Sequence, residues 1–259
     1  MKLTFLGTGT SFGIPQIGCG CAVCHSNDPR DKRTRVGAVI ESATTSLLID
    51  TPPELRLQLV ASGIASVDAV LFTHDHADHT HGIDDLRAIS VRTGKKLPFY
   101  GPAETMASLS QKFSYIFDDA IQPLPGTFKP EGSATALTPG VAHRIGDLDV
   151  MPIEVPHGRS RVFAYRVGPI GYVTDAKSIP ESAFAQLAGV KLLVLNALFR
   201  VEHPSHLSFG EAIAVARRVG AERTYITHLT HNDAHAELEA ELPAGIAPAF
   251  DGLQVTVDA

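Results

Sequence analysis

The stretch "THDHADH", residues 73–79, carries three imidazoles and two carboxylates directly after the apolar run "VDAVLF". A short run rich in Val, Leu and Phe reads as a buried strand. His74 and His76, at i and i+2, are followed by Asp78 and His79, so one strand end can send two ligand pairs in two directions. That suits two adjacent cations better than one, and imidazole with carboxylate favours zinc, manganese or iron. One run cannot close two coordination spheres. Three other apolar runs end on ligand-type side chains: "VMPIEVPH" at His157, "GYVTD" at Asp175 and "RTYITH" at His228. Sheet proteins gather their sites at such strand ends, and the four runs together supply seven ligands.

Around these runs the chain alternates short apolar segments with turns. "KLTFLG", "GAVIES", "TSLLID", "KLPFYG", "VFAYRVG", "VKLLVLNAL" and "LQVTV" read as further strands, the second and third as a hairpin ending at Asp50. "PPELRLQLVASG" has helical spacing, with Leu55, Leu59 and Val60 on one side. "IDDLRAISVRTG", "ESAFAQLAG" and "SFGEAIAVARRVGA" read as helices too. Residues 118–140, rich in Pro and Gly, read as a loop or irregular strand pair. No linker or repeat interrupts the 259 residues, so the expectation is one α/β domain spanning residues 1–259, built from two similar halves.

Composition narrows the function classes. A net charge of −6 argues against a broad nucleic-acid surface. The one basic cluster, "RDKRTR" at 30–35, reads as a solvated loop. "MKLTFLGTGTSFG" is broken by Gly7 and Gly9 too early for a signal peptide and reads as a strand entering a glycine loop. Ser11 in that loop is a candidate substrate contact, but GxxxxGK[ST] is missing and no nucleotide P-loop is expected. No window reaches the roughly 18 apolar residues of a membrane span. A cytoplasmic chain is expected, with reduced thiols. The expected partners are a small phosphorylated substrate, neither membrane nor nucleic acid, and for assembly at most a second copy in a homodimer.

Every cysteine lies in "GCGCAVC", residues 18–24. Thiolates at CxCxxC spacing can wrap one side of a tetrahedral zinc. With no fourth cysteine, histidine is the source of the last ligand, and His231 follows His228 by three residues.

"THDHADH" resembles the HxHxDH signature of the metallo-β-lactamase superfamily, and His157, Asp175 and His228 stand in the order of its later ligand motifs. The resemblance implies a four-layer αββα sandwich, two mixed sheets flanked by helices. It implies one metal on His74, His76 and His157, a second on Asp78, His79 and His228, and Asp175 bridging them. Asp50, after "SLLI", matches the early aspartate that orients ligands from behind. "LGTGTSFGIPQIGCGCAVC" is similar to the N-terminal motif of the PhnP-like cyclic phosphodiesterases. Carried over, that family's structural zinc falls on Cys19, Cys21, Cys24 and His231.

Two metals roughly 3.5–4 Å apart can share a hydroxide that attacks an electrophile. A proton donor for the leaving group is then needed, and histidine suits neutral pH. "FRVEHPSHLSFGEA" resembles a stretch of the RNase Z-like phosphodiesterases and nominates His206, counted with Asp78 as catalytic. His203 is a weaker substrate-contact candidate. His81, Asp84, Asp85 and Arg87 read as caps or solvated charges, and His25, His143 and His235 as surface or loop residues. The PhnP resemblance implies hydrolysis of a cyclic phosphodiester such as 5-phosphoribosyl 1,2-cyclic phosphate. The alternatives are an RNase Z-like tRNA 3′-end endonuclease, whose long Gly/Lys-rich arm this sequence lacks, and a glyoxalase-type thioesterase or lactonase. From another class comes a non-catalytic zinc-binding protein similar to PQQ-biosynthesis protein B, whose relatives depart from HxHxDH.

Overall fold

The computed structural model describes residues 1–258. Fourteen strands form two sheets of seven. The strands are β1 (Lys2–Gly7), β2 (Gly37–Glu41), β3 (Ser46–Ile49), β4 (Ala69–Leu71), β5 (Leu97–Gly101), β6 (Gly132–Ala136) and β7 (His143–Ile145), then β8 (Leu148–His157), β9 (Ser160–Val167), β10 (Ile170–Val173), β11 (Leu192–Asn196), β12 (Arg223–Thr227), β13 (Ile246–Pro248) and β14 (Gln254–Thr256). The first sheet runs β14-β1-β2-β3-β4-β5-β6 and the second β13-β12-β11-β10-β9-β8-β7. Each changes character at its middle strand. Pairing is antiparallel from β14 to β3 and parallel from β3 to β6. In the second sheet it is antiparallel from β7 to β10 and parallel from β10 to β13.

Strand alternation builds the layers. Leu3, Phe5, Leu47, Ile49, Ala69 and Leu71 of the first sheet meet Tyr165, Tyr172, Leu192 and Val194 of the second between the sheets. The intervening residues Leu6, Leu48, Val70 and Phe72 face outward onto the helices Leu55–Ala61, Arg87–Thr93 and Ala103–Lys112. On the other side Leu193 and Leu195 pack against Glu181–Leu187, Phe209–Val219 and His235–Glu241. Strands buried on both faces must be apolar throughout, which is why "VLF" and "LLVL" show no alternation. The result is the αββα order: an α/β fold with two mixed sheets and flanking helices.

Several elements depart from the sequence reading. The helix Ala103–Lys112 was not expected; it buries Thr105, Met106 and Leu109. Val60 is 73% exposed, and it is Gln58 that is buried, donating to Thr34 Oγ1 and the Arg35 carbonyl. "RDKRTR" is no solvated loop: Arg33 is buried, donating to Thr8 Oγ1, the Ala249 carbonyl and His235 Nδ1. His235 is likewise buried rather than on the surface, its backbone N–H donating to Asp31. Apart from Thr8, these partners lie some 200 residues away in the chain, beyond the reach of local pattern. Arg30 and Arg35 are taken up by Asp28, Glu239 and Glu54. The glycine loop serves close packing: a Cβ on Gly7 would sit 2.0 Å from the Arg35 carbonyl oxygen. No helix among the described residues is long and apolar enough to cross a membrane.

Candidate metal centre

Strand direction brings the ligands to one place. β3, β4 and β5 are parallel, so Asp50 and the run beginning at His74 leave the first sheet at the same end. β8 and β10 both pair antiparallel with β9, which puts His157 beside Asp175, and β12, parallel to β11 and β10, adds His228. Asp50, Asp175 and His228 are the non-glycine residues with positive φ among those described, at 61°, 54° and 60°. Asp and His enter this left-handed region more readily than most residues. The cost, about 1–3 kcal/mol each, concentrates where the chain must turn a ligand inward at a strand end.

Two groups of ligand atoms form there, each within 4.8 Å. One comprises His74, His76, His157 and Asp175; the other comprises Asp78, His79 and His228. The Asp175 carboxylate is the hub. Its Oδ2 lies 3.9 Å from His74 Nε2, 3.5 Å from His79 Nε2 and 3.8 Å from His157 Nε2, and its Oδ1 lies 3.4 Å from His228 Nε2. Burial opposes its charge, but His228, His79 and His206 outweigh burial and hold the carboxyl well below the usual range.

Hydrogen bonds from behind fix which nitrogen faces inward. Asp50 accepts from the Thr73 backbone N–H and hydroxyl, both at 2.8 Å, and from His79 Nδ1 at 2.7 Å. With its proton on Asp50, the Thr73 hydroxyl accepts from His74 Nδ1 at 2.9 Å. His157 Nδ1 donates to the Ser205 carbonyl at 3.0 Å. The inward atoms His74 Nε2, His79 Nε2 and His228 Nε2 are buried with no protein hydrogen-bond partner. Such orphaned nitrogens are costly unless a cation takes the lone pair. Burial also pushes His74, His157 and His228 down, His228 to about 4, leaving the neutral imidazoles that ligation needs. The donor set fits a dinuclear site.

A second cluster lies in the cysteine loop. Cys19, Cys21 and Cys24 Sγ are 3.3, 3.4 and 3.5 Å from His231 Nδ1. A tetrahedral zinc has S–N edges of about 3.5 Å, given Zn–S near 2.3 Å and Zn–N near 2.0–2.1 Å. The three sulfurs are unpaired thiols, and the cluster fits a structural metal. Thr8 and Gly9 bind Leu229, tying the glycine loop that leads into the cysteines to the strand end that carries His228.

A family model of the beta-lactamase superfamily domain matches residues 45–229, a span that takes in Asp50 and all seven ligands. The chain belongs to the β-lactamase superfamily. Among its relatives, a crystal structure of a new diphosphatase from the PhnP family superposes with a TM-score of 0.90 at 37% identity, covering 98% of this chain and 96% of that one. The octanoyltransferase of Porphyromonas gingivalis is 37% identical over the whole chain, which spans only 52% of that protein's length. Ribonuclease Z of Methanopyrus kandleri is 27% identical over 93% of this chain and 96% of its own.

Within this superfamily site, His206 is buried with Nε2 3.4 Å from Asp175 Oδ2 and its ring stacked 4.7 Å from His228. It also groups with Asp175 and His228 as a third set of ligand atoms within 4.8 Å. His203 is half-buried, its Nδ1 3.4 Å from His206 Nδ1. His81 is exposed, Asp84 pairs with Arg87, and Asp85 accepts from the Arg56 backbone, all away from the ligand groups. His25 is exposed, and His143 is half-buried in β7. Two supporting residues gave no sequence signal. Asn196 clamps the Ala176 backbone with both amide atoms, at 2.8 and 3.1 Å, just after Asp175. Asp75, inside the histidine run, turns away to Ser108 and Lys112 of the unexpected helix.

Proposed function

We propose that this chain is a metal-dependent hydrolase of phosphoric diesters or diphosphates. The observation that carries the reading is two ligand groups meeting at Asp175, with His206 stacked on His228 at their rim. His74, His76 and His157 would hold one cation and Asp78, His79 and His228 the other, with Asp175 placed to serve both. Zinc or manganese suits these donors, with iron third, and the cysteine cluster would hold a structural zinc. When bound, the cations supply Lewis acidity toward a phosphoryl oxygen and make water acidic enough to act near neutral pH.

The chain's own part is to hold protons and lone pairs at stated atoms. Asp50, Thr73 and the Ser205 carbonyl keep the Nδ1 protons of His79, His74 and His157 on the outer side. His206 is the general acid. As the imidazolium it donates from Nδ1 to Ser205 Oγ, 2.9 Å away, and gives its Nε2 proton to the departing oxygen, becoming the neutral ring. The similarity to a PhnP-family diphosphatase supports phosphoryl chemistry, and the N-terminal cysteine motif supports a cyclic sugar phosphate such as 5-phosphoribosyl 1,2-cyclic phosphate.

The test is metal analysis joined to a substrate panel: bis(p-nitrophenyl) phosphate, cyclic ribose phosphate, 2′,3′-cyclic nucleotides, precursor tRNA and a thioester. Three metals per chain with turnover of the small diesters is the expected result. Full metal loading with no diester turned over would overturn the reading, and cleavage of precursor tRNA alone would replace it with a ribonuclease Z function.

A further inference from the structure

We propose that the cavity beside His206 binds a planar aromatic ring of the substrate, so that the natural diester is a nucleotide derivative rather than a bare sugar phosphate. The proposal rests on the phosphodiesterase reading, and within it puts a nucleotide diester in place of the cyclic sugar phosphate. The cavity, about 390 Å³, is lined by Thr10, Ser11, Phe12, Gln16, Leu198 and Phe199 among others. His206 and His228 belong to the same lining, so the cavity is continuous with the candidate metal centre. Its volume falls within the roughly 300–1,000 Å³ of small-molecule sites.

Three features select the ligand. First, the lining is aromatic where it meets solvent. Phe12 is 70% exposed and makes no ring contact with another described aromatic. From Phe199 a ladder of ring contacts leads to the metal centre: Phe199 to His203 at 5.6 Å, His203 to His206 at 5.4 Å, and His206 to His228 at 4.7 Å. A planar group can stack on these faces in any register. Second, the lining holds no Lys, Arg, Asp or Glu. A second phosphate, such as the 5-phosphate of a phosphoribosyl diester, would find no cation there, whereas a neutral heterocycle needs none. Third, the Gln16 side-chain amide makes no hydrogen bond to any described residue. One donor and one acceptor on a planar amide match the polar edge of a base.

Calorimetric titration of the metal-loaded protein with adenosine 5′-monophosphate and with ribose 5-phosphate tests this without turnover. The nucleotide should bind at least about tenfold more tightly, the scale of one base–aromatic stack. Phe12→Ala should erase most of that preference while leaving ribose 5-phosphate affinity unchanged, and Phe12→Tyr should restore it. Equal affinity for the two ligands, or a Phe12→Ala loss common to both, overturns the ring site even if the protein hydrolyses cyclic sugar phosphates. A nucleotide preference in a protein that cleaves no diester supports the ring site and removes the hydrolase reading instead.

Discussion

His79 Nδ1 lies 2.7 Å from Asp50 Oδ2, with both side chains fully buried. The carboxylate sits behind the imidazole and fixes the nitrogen that faces Asp175. Asp50→Asn keeps the shape but offers an amide where Thr73 and His79 need acceptors. Loss of such an outer partner costs metal affinity about 10–100-fold. Competition with a chelator should show weaker binding of one active-site metal while the cysteine-bound metal stays. Unchanged affinity for all metals would remove Asp50 from this role.

His206 separates two uses of one imidazole. As the proton donor, His206→Ala should retain full metal content and lower turnover by roughly 10²–10⁴. The third ligand group that it forms with Asp175 and His228 supplies the opposing outcome. If the variant loses a metal equivalent, His206 is a ligand and the donor must be sought elsewhere.

Cys24→Ser should release one metal per chain and lower stability by at least about 2 kcal/mol. Besides a backbone bridge from Ile14 to Arg33 and a hydrogen bond from Lys32 to the Cys24 carbonyl, the loop has only a small apolar cluster of Ile14, Val23 and Cys24 with a few partly buried neighbours. Limited proteolysis should cut the 10–30 segment first. The seven active-site ligands lie outside the loop, so the two active-site metals should remain. A variant that keeps its third metal would disprove the clamp.

Burial first, then Arg33, pushes His235 from its ordinary 6.5 down to about 4. Arg33 can only donate, so the Nδ1 it meets at 3.0 Å must be an unprotonated acceptor. Between those values the unfolded chain binds the proton and the folded chain does not. The stability is therefore fully present above about pH 6.5 and is lost as pH falls toward about 4. His235→Gln keeps an acceptor and cannot titrate, so its melting temperature should fall less steeply over that window. Identical slopes for the two proteins would refute the linkage.

Much of the candidate site was legible because the ligand-type side chains that the structure brings together close apolar strands or crowd into one short run. Asp50, His74, Asp175 and His228 each follow residues that can only be buried sheet. Ligands need that placement, and sequence displays it directly. The supports were not legible. Asn196 ends a strand as any polar residue might, and Asp75 stands among ligands while bonding a helix 33 residues away. That helix was hidden because it buries only Thr105, Met106 and Leu109, too few to mark a face. His235 and Arg33 are hidden for a related reason: each is ordinary locally and is buried by partners distant in the chain.

The pairing of the first and last strands has a practical corollary. Met1 donates from its amino group to the Val257 carbonyl at 2.7 Å, and Lys2 aligns with Thr256. β1 points its far end, Gly7, toward the histidines, so Met1 and Val257 lie together at the opposite side of the sheet. A tag or linker attached beside Met1 therefore leaves the mouth of the metal centre clear. A surface tether at that edge would immobilise the protein with its cavity facing solution.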